Sequence, residues 1–176
     1  MREYMKIFLN PGHGGNDPGA VSKNGLKEKD VVKRICDILA QKLRNAGYSV
    51  MVYQEQQSFT EVSKEENKSG ADLFVSVHCN SFSSSSANGV ETLYYPTSVK
   101  GKQLAECIQN ALLKQTGLFN RGCKMRRDLH VLKRTKSPAV LVETAFISNP
   151  EEEKLLCDKP EMFAEGILAG IKNYIS

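Results

Sequence analysis

The run Leu73-Phe74-Val75-Ser76-Val77 is apolar on both of the faces a strand presents. Successive strand side chains point to opposite sides, so such a run has to be covered above and below. That is the pattern of a central strand in a parallel sheet with helices on both faces. The rest of the chain supplies the parts. Strand-like stretches fall at 5–9, 48–53, 90–95, 129–132 and 139–143, besides 73–78. Between them, residues 28–46 place Val31, Val32, Ile35, Ile38, Leu39 and Leu43 on one helical face, and Gly47 stops the helix. Residues 60–68 read as a polar surface helix with Ser63-x-x-Glu66 as a capping box. Leu104, Ile108, Ala111 and Leu112 give helical spacing over 100–115, ended by Gly117. Asn149-Pro150 reads as a helix start, and Phe163, Ile167, Ile171 and Tyr174 mark a final helix over 161–175. With no internal repeat and no linker, residues 1–176 are predicted to form a single α/β domain. Its sheet should have about six strands, mostly parallel, with helices on both faces.

Size and charge agree. A chain of 176 residues can bury one proper core. Its formal net charge of +4 suits an anionic polymer partner but is too small to argue for nucleic acid. Cys36, Cys79, Cys107, Cys123 and Cys157 are odd in number, lack a C-x-x-C pair and mostly sit in apolar patterns, so they read as free thiols. That composition points to synthesis in a reducing compartment. Met1 to Lys6 run straight into a strand without a stretch apolar enough for a signal peptide or a membrane span. The expectation is cytoplasmic synthesis and no membrane insertion.

Four polar residues sit at strand ends or just beyond them. His13 follows the first strand, in Asn10-Pro11-Gly12-His13-Gly14-Gly15; Glu28 opens the next helix; His78 and Glu143 end two further strands. Open α/β sheets bind ligands outside the carboxyl ends of their strands, so the four are predicted to share one site. His13, Glu28 and His78 match the three protein ligands of a catalytic zinc ion. Glu143 is then left free for proton transfer, which typically contributes ~10²–10⁴-fold. The chemistry implied is metal-assisted hydrolysis of an amide. His130 begins a predicted strand without such company and reads as a surface or packing residue. The cluster Arg121, Lys124, Arg126, Arg127, Lys133, Arg134 and Lys136 reads as a solvated face, with a substrate-side or anionic-polymer-binding role as the alternative.

The stretches NPGHGGNDPGAV, NGLKEKDVV, ADLFVSVHCNS, NGVETLYY, NRGCK and PAVLVETAFISNP, in this order, closely resemble the zinc-dependent N-acetylmuramoyl-L-alanine amidases of the amidase-3 family. The resemblance runs from Asn10 to Pro150 and implies a twisted six-stranded sheet flanked by helices. It places His13, Glu28 and His78 on the family's zinc ligands and Glu143 on its catalytic glutamate. Three positions depart from the pattern. Cys79 stands where the family usually has alanine, and strand alternation turns it away from the His78 face. Val62 stands where an arginine is common. Pro96-Thr97-Ser98-Val99 leaves no room for the inserted helix of autoinhibited relatives, which implies that no activator protein is required.

The function implied is cleavage of the amide between N-acetylmuramic acid and L-alanine in peptidoglycan, with Zn²⁺ as cofactor and wall lysis as the result. An endolysin and an autolysin both fit, acting on the wall after release or lysis; no separate wall-binding domain is read in the chain. Two alternatives are an inactive peptidoglycan-binding regulator and a zinc peptidase cutting within the stem peptide.

Overall fold

In the computed structural model, residues 4–54 and 59–176 are described. Met1 to Glu3, read above as leading directly into the first strand, lie outside them. The elements run β1 Lys6–Pro11, α1 Glu28–Asn45, β2 Ser49–Val52, α2 Phe59–Ser69, β3 Leu73–Asn80, β4 Val90–Tyr94, α3 Val99–Thr116, β5 Asn120–Met125, α4 His130–Arg134, β6 Ala139–Phe146, α5 Pro150–Asp158 and α6 Pro160–Ile175. The six strands form one sheet in the order β2-β1-β3-β6-β4-β5. β2, β1, β3 and β6 are mutually parallel, and β4 meets β6 antiparallel and carries β5 parallel to itself. The fold class expected from the sequence is the one observed.

Period-two alternation sorts the apolar side chains into two cores. Ile7, Leu9, Val75 and Val77 face α1, α3 and α6, where Ile35, Leu39, Ile108, Leu112, Phe163 and Ile167 are buried. Phe8, Phe74, Leu93 and Leu141 face the other way, under Val62 of α2 and Val131 and Leu132 of α4. Among the described residues no helix is long and apolar enough to cross a membrane.

Two local elements differ from expectation. The apolar run 129–132 is not a strand: His130 opens the short helix α4, whose Val131 and Leu132 pack on the second core. The sixth strand is instead β5, over the polar stretch 120–125. Ser63 and Glu66 do not cap α2, because both lie inside it. The Ser63 hydroxyl donates to Phe59 O, and the Glu66 carboxylate accepts from the Ser137 hydroxyl, tying α2 to the start of β6. Asn149-Pro150 starts α5, with Asn149 Oδ1 accepting the backbone N–H of Glu151 and Glu152 at 3.0 and 3.1 Å.

Candidate metal centre

Strand order brings the site together. β1 and β3 are neighbours, with β2 on the far side of β1, so the chain reverses its direction across the sheet here. The crevice outside their carboxyl ends is where such sheets hold ligands. His13 comes from the turn after β1 and is the one described non-glycine residue with positive φ, 60°. This left-handed conformation costs an L-residue roughly 1–2 kcal/mol. It is held by backbone pairing between Gly14 and Asp17 and by Asp17 Oδ2, 2.8 Å from His13 Nδ1. Asp17 thereby fixes the ring and leaves Nε2 directed at Glu28 Oε2, 3.2 Å away. A carboxylate behind a histidine is the usual support of a metal ligand.

Glu28, the first residue of α1, is buried and fully used. Oε1 lies 3.1 Å from His78 Nδ1 and accepts the Cys79 N–H at 3.0 Å; Oε2 accepts the Ala20 N–H at 2.9 Å. The two imidazoles meet edge to face, with ring centroids 5.2 Å apart. One donor atom from each of His13, Glu28 and His78 can be chosen so that all lie within 4.8 Å of one another. Backbone has to come very close for this. A Cβ on Gly12 would sit 2.3 Å from the His78 ring, and one on Gly19 (φ +66°) 2.6 Å from both Glu28 and His13. Two imidazoles and a carboxylate facing inward suit a borderline cation such as zinc.

Burial alone would push the Glu28 pKa up, but hydrogen bonds from both histidines outweigh it and hold this carboxyl well below the usual range. The hydrogen bond to Glu28 raises His13 to about 9 against the cost of its own burial, helped by Asp17. Glu143 behaves oppositely. Burial pushes it up to about 7, opposed by His78 and reinforced by Glu28 and Glu91, and its Oε2 has no hydrogen-bond partner among the described residues.

Register explains why Glu143 is so close. It pairs with His78 across the parallel β3–β6 ladder and with Glu91 across the antiparallel β6–β4 ladder. His78, Glu143 and Glu91 therefore form a row on one face, with neighbours roughly 4.5–5.5 Å apart at Cβ. All four residues picked out at the strand ends are thus gathered at one edge of the sheet.

Cys79 points into the opposite core, buried, with Sγ 3.6 Å from Thr144 Oγ1. Val62 lines a small cleft of about 100 Å³ with Asn10, Gly12, His13, Asp17 and His78, so an apolar wall stands where the resemblance led to expect an arginine. Asp17, Asn80 and Glu91 went unremarked from sequence. Asp17 lies in an irregular loop that carries no periodic signal. Glu91 did have one, a charge two residues from buried Leu93 on the same strand face.

The profile of the N-acetylmuramoyl-L-alanine amidases (Amidase_3) matches residues 7–173. N-acetylmuramoyl-L-alanine amidase LytC of Bacillus subtilis strain 168 is 41% identical over 155 residues, 85% of this chain and 31% of that protein. A probable cell wall amidase LytH of Staphylococcus epidermidis is 33% identical over 174 residues, 97% of this chain and 58% of that one. The chain thus spans between about a third and three fifths of the length of these relatives. Among solved structures, an N-acetylmuramoyl-L-alanine amidase from Clostridium difficile 630 superposes with a TM-score of 0.90 at 31% identity, covering 98% of this chain and 97% of that one.

Proposed function

The chain belongs to the N-acetylmuramoyl-L-alanine amidase family Amidase_3, and on that premise we propose that it hydrolyses the amide between N-acetylmuramic acid and L-alanine in peptidoglycan. The observation that carries the reading is the convergence of His13, Glu28 and His78 with Glu143 one strand away. His13, Glu28 and His78 are the residues that would hold the metal, and zinc is the ion their chemistry suits. Zinc bound there would polarise the scissile carbonyl and acidify water.

The chain's own residues do the rest. Asp17 and the close backbone at Gly12 and Gly19 orient the donors. Glu143, buried one strand away from the donors with an unpartnered Oε2, is placed to take a proton and give it back. It takes the proton of the attacking water and delivers it to the amide nitrogen as the carbon–nitrogen bond breaks. The lactyl group of muramic acid leaves as a carboxylate and the stem peptide with a free L-alanine amine. Residues 95–98 join β4 to α3 directly, so the catalytic edge carries no inserted helix there, and activity should need no activator.

Purified zinc-loaded protein, added alone to isolated walls, should release stem peptides that begin with free L-alanine, identified by mass spectrometry. Glu143→Ala should keep its zinc and fold while lysing at least ~10²-fold more slowly. Fragments cut within the stem peptide would instead mark a peptidase, and near-normal lysis by Glu143→Ala would remove Glu143 from the chemistry.

A further inference from the structure

Beyond Glu143, on the side away from the metal donors, the row continues into a cationic pair that the hydrolytic chemistry does not use. Glu91 Oε1 accepts from Asn80 Nδ2 at 3.0 Å, and Oε2 receives both Arg121 Nε, at 3.3 Å, and Lys124 Nζ. One carboxylate thus holds two cations, leaving a net positive charge next to Glu143. Arg121 also donates to Asn88 O at 3.3 Å and lies over the Phe146 ring, 4.9 Å from its centroid. The remaining guanidinium and ammonium N–H groups have no partner among the described residues, and the two side chains are 32% and 45% exposed. Arg126, close by, is spent on a bidentate pair with Asp128.

We propose that Arg121 and Lys124, positioned by Glu91, form a subsite for a carboxylate of the leaving peptide. The direction follows from the row. The metal donors lie on one side of Glu143 and the cations on the other. Glu143 is the group that meets the leaving nitrogen, so what extends past it is the peptide rather than the sugar. The first anionic group beyond that nitrogen is the α-carboxylate of the second residue, a D-glutamate linked onward through its side chain and left either free or amidated. A guanidinium held over Phe146 with an ammonium beside it matches a free carboxylate and offers an uncharged amide much less. The inference rests on the amidase reading for its choice of substrate.

The test compares two N-acetylmuramoyl tripeptides, one with D-glutamate and one with D-isoglutamine at the second position. It also measures calorimetric binding of the corresponding free tripeptides to the zinc-loaded protein. The free carboxylate should be favoured by roughly 10–100-fold, mainly in KM, the loss expected for hydrogen bonds to a charged group. Lys124→Gln and Arg121→Gln should each bring the ratio towards one, and Arg121→Lys should retain part of it. Lys124 is exposed on an edge strand, so its variant tests the pair even if Arg121→Gln loosens β5. Equal use of both substrates by the unaltered protein overturns the proposal. So does a preference that survives both glutamine variants, or a loss that falls equally on the two substrates, as a purely structural role would give. If neither substrate is cut but the tripeptides still bind with the stated preference, the subsite stands and the amidase reading falls.

Discussion

At the residue scale, the metal donors and Glu143 are set against each other electrostatically, and two pH effects separate them. Zinc takes imidazole in its neutral form, so binding has to displace the proton that Glu28 and Asp17 help His13 retain up to about pH 9. Apparent zinc affinity should therefore climb, by roughly tenfold per pH unit, between neutrality and about 9, then level off. Glu28 stays ionised throughout and adds no slope. Competition with a chelator from pH 6 to 9 measures this, and a flat profile would exclude His13 as a ligand. Glu143 gives the second effect in metal-free protein. Its folded pKa, about 7, lies above its ordinary 4.5, so it is protonated in the folded state across that window. The stability it contributes is fully present below 4.5 and lost as the pH rises through 7. Urea midpoints of metal-free protein should fall over this range relative to Glu143→Gln, which carries no such proton; parallel curves would contradict the burial argument.

At the scale of elements, helix packing depends on close approach as much as on apolar stripes. α6 lies on α3 through Gly166 and Gly170, and a Cβ on Gly170 would stand 2.4 Å from Ile108 Cα. Alanine favours a helix by about 1 kcal/mol over glycine, yet here overpacking against backbone should win, at roughly 1–3 kcal/mol. Net of the propensity gain, Gly170→Ala should lower Tm by up to about 8 °C for a domain of this size, read by circular dichroism; a rise would mean that α3 can yield. The long helices were legible because their burial follows 3.6-residue spacing, as Val31, Ile35, Leu39 and Leu43 do. β5 and α4 were not. β5 is an edge strand with exposed Asn120, Lys124 and Met125 and no alternation to read. α4 has five residues, and its Val131-Leu132 pair fits a short strand equally well until the core that receives it is known.

At the scale of the whole molecule, the site joins parts distant in sequence: the loop after β1, the start of α1 and the ends of β3 and β6. His78 and Glu143 could be picked out because each ends an apolar strand, and His13 because it follows one; Glu28 opens a helix beside a second acid, Asp30, and stands out only through the motif around it. The row His78–Glu143–Glu91 could not be picked out, since it exists only because β6 inserts between β3 and β4, an order that no local pattern encodes. A centre assembled in this way would bind an ion only when the fold is complete, so zinc held there should act as a cross-link between β1, α1 and β3. At a free concentration one hundred times Kd it would stabilise the folded state by about 2.7 kcal/mol, or roughly 5–11 °C in Tm for this length. The two carboxylates should then part company. His78→Ala and Glu28→Ala should lose nearly all of the zinc-dependent shift, each removing a donor, whereas Glu143→Ala should keep it, lying one strand outside the donor set. Differential scanning fluorimetry with a zinc buffer and with chelator reads all four proteins at once. A full shift in His78→Ala, or none in Glu143→Ala, would mean that the ion is held by a different set of residues.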